Sequence, residues 1–501
     1  MNKRTGLLLG VLGCVLCGCH VGPDYVRTPV AMPRHFKEAQ GHAIINAKNT
    51  DWKRAHPRDH IDRGPWWKIF HDKKLNELEG RLNISNQTIA AAYANYCQAM
   101  ALVDEARASY FPTLNGTISF TRQKQGGGAT SFVSNSNGVT STGTASTGGA
   151  ATTQSSRITN SHTILFNASW VPDIWGLVYR QVQASEAGAQ ASGALLASTR
   201  LAAQASLAQF YFELRALDTD QQLLDATVRN YYKALQLTKN QYRSGVVARA
   251  DVVQAQSQLE TAKAQAINNG INRAIFEHAI AVLIGVAPAD LNLSPRPLRA
   301  QPPPVPVGIP CELLERRPDV AQAERLMAQA NAEIGVAVAA YFPTLTLTAT
   351  GSFFGKGLSH WISLPALGWA YGPQLSQLIY DGGLRAATVR AAKAGYQSTL
   401  ASYRQIVLTA MQNVEDDLAT IRILNREAVV QNAAAADAVK ALSLVINQYK
   451  SGVVPYSSVI TAQTAAFTAQ KTAADVTGLR MTATVGLITA LGGGWEQCCT
   501  R

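Results

Sequence analysis

The chain has little charge and few aromatic residues: Asp, Glu, Lys and Arg make up 16% of its 501 residues, and Phe, Trp and Tyr 7%. A compact enzyme core of this length normally holds more of both, so the composition favours long helices packed closely through small side chains. No P-loop, no Gly-x-Ser-x-Gly elbow and no His-Glu-x-x-His occurs, which removes the sequence grounds for phosphoryl transfer, serine hydrolysis and zinc proteolysis. His56 and His60 in HPRDH stand four apart, but in a proline-containing segment without helical periodicity that reads as a solvated linker. The seven cysteines match no zinc spacing. The net charge is +12, yet the basic residues are thinly spread and no nucleic-acid motif accompanies them. They read as a solvated surface, so no nucleic-acid partner, metal or enzymatic activity is expected.

What is present begins with an export signal. Lys3 and Arg4 precede an apolar stretch, Leu7–Leu16, too short to span a bilayer stably. It ends Leu16-Cys17-Gly18-Cys19, which resembles the end of a bacterial lipoprotein signal. That resemblance implies cleavage after residue 18 and acylation of Cys19 on sulfur and amine, a covalent lipid anchor. His20 stands where Asp would favour inner-membrane retention, so the outer membrane is expected. Cys14 and Cys17 leave with the signal; Cys97, Cys311, Cys498 and Cys499 remain and read as unpaired.

The chain repeats itself. YRSGVVARADVVQAQ at 242–256 lies over YKSGVVPYSSVITAQ at 449–463 at an offset of 207, and ASYFPTL at 108–114 over AAYFPTL at 339–345 at an offset of 231. Two homologous halves follow. The difference of 24 matches a Gly/Ser/Thr/Asn-rich stretch, residues 125–156, that reads as an exposed loop in the first half. The division expected is a signal (1–18), a lipidated extended segment (19–84), a first repeat (85–300), a linker (301–317), a second repeat (318–492) and a tail (493–501).

Within each repeat the pattern predicts a helix, from Ser85 to Ser109 and from Pro318 to Ala340, stopped by Pro112 and Pro343. Alternating runs come next: Leu114 to Phe120, Ile164 to Trp170, Leu345 to Thr350, and a fourth over Trp369–Tyr380. Their length suits a tilted membrane-spanning strand. Proline-free stretches of 66 and 67 residues follow, Gly176–Gln241 and Gly382–Gln448, with eleven Ala from Gln181 to Ala216. Small residues let helix backbones approach closely enough to form a wall. Ser244-Gly245 and Ser451-Gly452 are read as the turns of two helical hairpins, with Tyr242, Tyr449, Val247 and Val454 as flanking apolar contacts. Arg316-Arg317 before Pro318 reads as helix-start packing. Four strands cannot close a barrel alone, so other copies must close it; two, three or four copies all satisfy this reading.

CHVGPDYVRTPV (19–30), PWWKIFHDKKLNEL (65–78), ERRPDVAQAE (315–324), the two YFPTL segments and the paired turns together resemble the lipoprotein (OprM/NodT) branch of the TolC-like outer-membrane efflux family. The resemblance implies a mainly α fold with internal tandem duplication. It implies a homotrimer whose four strands per chain close a 12-stranded transmembrane β-barrel, continued by a periplasmic α-barrel of long helical hairpins. It implies an exit duct for small molecules such as drugs, joined by a periplasmic adaptor (membrane fusion) protein to an inner-membrane pump of the resistance-nodulation-division class. Adaptor docking then falls on Tyr242, Ser244, Gly245, Val246, Tyr449, Ser451, Gly452 and Val453. The gate falls on Asp251 and on Ser457, Thr461 and Thr464, the last three standing where relatives often carry Leu, Asp and Arg. A weaker, less cation-selective constriction is therefore expected. A type I secretion duct and an Ala-rich coiled-coil envelope tether are the alternatives.

Overall fold

A computed structural model describes residues 21–30, 32–33, 35–39, 64–125, 157–298, 300–305, 316–355 and 362–493. The signal, Cys19, His56, His60, residues 126–156, Cys311, Cys498 and Cys499 lie outside the described residues.

The first repeat contains α2 (Gln87–Ala108), β1 (Thr113–Gln125), β2 (Arg157–Trp170), α3 (Leu177–Arg243) and α4 (Arg249–Leu283). The second contains α5 (Pro318–Ala339), β3 (Thr344–Gly355), β4 (Leu367–Ser376), α6 (Leu384–Lys450) and α7 (Tyr456–Ala490). Paired helices have equal lengths: 22 residues for α2 and α5, 67 for α3 and α6, 35 for α4 and α7. At about 1.5 Å per residue the 67-residue helices each extend roughly 100 Å.

A helix preceding the first repeat, α1 (Lys73–Ser85), corrects the expectation of an extended segment up to residue 84. Asp72 caps it, accepting from Lys74 N at 2.8 Å and Leu75 N at 3.2 Å, and Tyr211 donates to the other carboxylate oxygen at 2.8 Å. Leu75, Leu78 and Leu82, three and four residues apart, are fully buried. The helix expected to start at Ser85 therefore starts later: Asn86 breaks the chain and its Oδ1 accepts from Ile89 N at 2.9 Å, capping α2.

The compact units do not coincide with the repeats. One draws on residues 1–23, 104–182 and 333–391, the other on 24–103, 183–332 and 392–501, because α2, α3, α5 and α6 run without a break through both.

The first unit holds one antiparallel sheet in the order β1-β2-β3-β4. Its register places Leu114 opposite Ala168, Ala168 opposite Ala349, and Ala349 opposite Tyr371. Period-2 alternation then gives one apolar face, including Leu114, Ile118, Phe120, Phe166, Leu347, Trp369 and Tyr371, and one polar face of Thr, Ser, Asn and Gln. Most of the large residues on the apolar face are exposed. Among the described residues β1 and β4 pair on one side only. The fourth run ends at Ser376 rather than Tyr380: Pro343 precedes β3, pairing stops at Thr344 with Ser376, and Gln377 instead donates to Tyr341 O at 3.1 Å. In the same unit Arg180 Nε donates to Val21 O at 3.1 Å, holding the start of the described chain.

The second unit carries the main apolar core. Trp66, Trp67 and Phe70 from a short 3-10 turn, the α1 leucines, Tyr211 and Phe212 of α3, Ile280 and Ile284, Val414 and Leu418 of α6, and Met481, Val485 and Ile488 of α7 pack together. The PWWKIF segment is thus the hydrophobic plug among helices of both repeats. Gly285 ends the α4 segment with φ +69°, and a Cβ there would stand 2.2 Å from Ser85 O; Gly492, its counterpart 207 residues on, approaches Arg316 O in the same way.

Candidate functional site: the two hairpin tips

Both tips lie in the second unit and are built alike. At the end of α3, Gly245 N donates to Tyr242 O and Val246 N to Gln241 O, each at 2.9 Å; at the end of α6, Gly452 N donates to Tyr449 O at 3.0 Å and Val453 N to Gln448 O at 2.9 Å. This is the paired 5→2 and 6→1 closure that satisfies the last helix carbonyls, and it needs a left-handed residue at the glycine. Gly245 has φ +75° and Gly452 +74°. Ser244 and Ser451 each return a hydroxyl to the carbonyl four residues back, at 3.0 Å. Val246 and Val453 protrude, 69% and 71% exposed. Two large apolar side chains at turns, unpacked within their own chain, form a surface for something else.

The tips differ in one respect that the repeat conceals. Tyr242 is 45% exposed and Tyr449 only 6%, so the expected pair of equivalent flanking contacts exists at the second tip alone. The cause is the opposite strut of each hairpin: Tyr449 packs on Tyr456, ring centroids 5.4 Å apart, whereas the residue 207 positions before Tyr456 is Arg249. Tyr449 also donates to Gln241 Oε1 of α3 at 2.5 Å, a bond between repeats. Around it Tyr231 and Leu235 of α3, Ala255 and Leu259 of α4, and Tyr456 and Val459 of α7 are buried together. Burial pushes the Tyr456 phenol up to about 12 and the Tyr231 and Tyr449 phenols upward, so all three remain neutral at ordinary pH. A groove of about 400 Å³ beside this cluster is lined by Tyr231, Leu237, Tyr456, Gln463 and Phe467, with Lys233 and Lys450 also contributing to its lining.

Ser457, Thr461 and Thr464 fall at i, i+4 and i+7 of α7, on one exposed face. Thr461 donates to Ser457 O at 3.1 Å, and Gln258 Nε2 of α4 lies 3.4 Å from Thr464 Oγ1 and 3.3 Å from the Tyr231 hydroxyl. Asp251 sits in the first turn of α4, half-buried, and its charge acts on Tyr449 and Tyr456 rather than on the threonines. The three α7 residues thus share a surface, and Asp251 belongs to the tyrosine cluster. Gln241 and Gln258, which link the repeats here, carry no signal in the sequence, because a single glutamine on a long helix looks like any solvated polar position.

The described residues contain no cluster of His, Cys, Asp and Glu able to hold a metal ion, and Cys97 is free and exposed.

Residues 80–286 and 309–493 match the family described as outer membrane efflux protein. The probable efflux pump outer membrane protein TtgC of Pseudomonas putida (strain KT2440) is 29% identical over 497 residues, 99% of this chain and 96% of the relative. The pyoverdine export outer membrane protein OpmQ of Pseudomonas aeruginosa is 29% identical over 88% of this chain and 89% of its own length. Among solved structures, the outer-membrane channel OprN superposes with a TM-score of 0.81 at 27% identity, covering 95% of this chain and all of that one. The open state of the Neisseria gonorrhoeae MtrE outer membrane channel gives 0.76 at 25% identity, covering 95% and 98%. With both repeats matched, and with the same strand pairs and twin hairpins that the sequence announces, the chain belongs to the outer membrane efflux protein family.

Proposed function

We propose that three copies of this chain form the outer-membrane exit duct of a tripartite efflux system. One observation carries the reading: a four-stranded sheet, apolar on one face and polar on the other, whose two edge strands are unpaired within the chain. Strand edges left open to lipid cost several kcal/mol per unpaired backbone group, so β1 of one copy pairs with β4 of the next, and three copies give about twelve strands. The apolar face then meets lipid and the polar face lines water. The helices point the same way. The most apolar window of α6, mean hydropathy 1.4, buries none of its residues within one chain, and Ile267, Ile271 and Ile275 form an exposed stripe on α4. Neighbouring copies cover both.

The duct sits in the outer membrane, with its helical barrel in the periplasm, and Cys19 carries the covalent lipid. Val246 and Val453, with Tyr242, Ser244, Gly245, Ser451 and Gly452 around them, receive a periplasmic adaptor, which connects the duct to an inner-membrane pump of the resistance-nodulation-division class. Tyr449 acts from beneath that surface. The adaptor must bind the open arrangement of the hairpins better than the closed one, since a ligand indifferent to the two shifts nothing. Ser457, Thr461, Thr464 and Asp251 form the constriction. The cargo is small molecules, as the names of TtgC and OpmQ indicate for those relatives. An envelope tether would use the lipid and the helices but has no need of a two-faced sheet.

The test is the mass of the detergent-extracted protein by light scattering, corrected for bound detergent. Three chains are expected; a monomer that persists under gentle extraction overturns the closure argument.

A further inference from the structure

Further along the hairpins from the tips, Asp220 of α3 is 5% exposed. Its Oδ2 accepts from Lys471 Nζ of α7 at 3.1 Å, and its Oδ1 has no partner. Lys471 is shared: it also donates to both oxygens of Asp475, one turn along α7, at 2.9 and 2.8 Å. The lysine and Asp475 are 42% and 44% exposed, so water screens their part of the interaction, whereas the Asp220 carboxylate is almost wholly withdrawn from water. The arrangement leaves a buried charge half satisfied.

The triad occurs once per chain. At the 207-residue offset Lys471 and Asp475 correspond to Ala264 and Asn268, and Asp220 to the exposed Glu427. Duplication of the hairpin thus does not account for it. It joins a helix of the first repeat to a helix of the second, the two parts that separate when hairpins move past each other.

We propose that Asp220 and Lys471 form a spring-loaded latch between α3 and α7: the ion pair holds the closed register of the hairpins, while the half-satisfied buried carboxylate favours the movement that returns it to water. The proposal rests on the duct reading and adds to it a source of opening energy and a pH dependence.

The direction of that dependence follows from the surroundings. Burial pushes the Asp220 carboxyl above the usual carboxylate range; Lys471 draws it down and Asp475 pushes it up again. From α7 these two are the charged groups acting on it. Nearby on α3, Asp218 is tied to Arg215 and, from α4, to Arg273, and Asn269 of α4 is neutral and occupied with Leu217 O and Gln221. In the open state, solvated, Asp220 returns to about 3.9. Protons therefore bind the closed state more tightly, so acid stabilises closure. Opening rises as pH climbs from the ordinary carboxylate value through the raised one, and levels off above it.

The experiment is single-channel recording of the full-length protein in planar bilayers from about pH 4 to about pH 8. Wild-type open probability is expected to increase with pH. Asp220→Asn, which keeps shape but removes the buried charge, opens less often and loses the pH dependence. Lys471→Met, which leaves the carboxylate unpaired, opens about tenfold more often, between what exposed and buried pairs are worth; Lys471→Arg keeps the pair and stays near wild type. The latch is overturned if Asp220→Asn opens the duct as Lys471→Met does, or if the pH profile survives in Asp220→Asn. Absence of any current from the wild type overturns the duct reading itself.

Discussion

The bond between Tyr449 and Gln241 crosses from the second repeat to the first beside a buried cluster, and hairpin separation must break it. Tyr449→Phe deletes the phenol hydrogen, leaves the ring on Tyr456, and leaves Gln241 half-buried with access to water. A neutral hydrogen bond of this kind contributes about 1 kcal/mol net, which multiplies opening of one protomer by about fivefold. In a trimer that opens in one concerted step the three copies add, to about 3 kcal/mol or roughly 150-fold; protomers that open independently remain near fivefold each. Open probability in planar bilayers reads the difference directly. Tyr242→Phe is the matched control, because Tyr242 occupies the equivalent position but is exposed, and it should change nothing. Gln241→Ala should mimic Tyr449→Phe, and the double variant should add nothing further, since both remove one interaction. An effect of Tyr242→Phe equal to that of Tyr449→Phe, or additivity in the double variant, refutes the assignment of this bond as a closure contact.

Two further substitution sets follow from the geometry. Gly452→Ala meets no neighbour and carries only left-handed strain, about 1–2 kcal/mol, whereas Gly285→Ala adds a Cβ 2.2 Å from Ser85 O and should lower the denaturant midpoint distinctly more; equal losses would show that the close approach relaxes at no cost. Wild-type current should show weak cation preference, because Ser457, Thr461 and Thr464 present no charge, and Thr461→Asp should raise cation selectivity about fivefold, as a carboxylate about 4 Å from the ion path contributes roughly 1 kcal/mol in water; strong cation selectivity of the unmodified duct, measured as a reversal potential in a salt gradient, would contradict the gate assignment.

Much of the architecture is local and was readable as such. Helix and strand periodicities repeat within four residues and two, so the strands after Pro112 and Pro343, the long alanine-rich helices and the glycine turns at Gly245 and Gly452 announce themselves. The repeat supplied what a single copy could not: at fixed offsets it matched segments over two hundred residues apart, and the equal helix lengths follow from it. Where local rules needed a partner, the reading went astray. The fourth strand stops at Ser376 because its neighbour starts after Pro343, and α1 forms because its leucines meet Tyr211 and Phe212.

The sequence by itself determined the export signal, the duplication, the two-faced strands and the positions of the tips, since each depends on residues adjacent in the chain or on self-similarity. Tertiary structure alone decided which of two nearly identical tip tyrosines is buried and which carboxylate among many is sealed against α7. Burial and pairing are set by side chains contributed from the other repeat, and Tyr456 against Arg249, or Lys471 against Ala264, makes equivalent positions physically unlike.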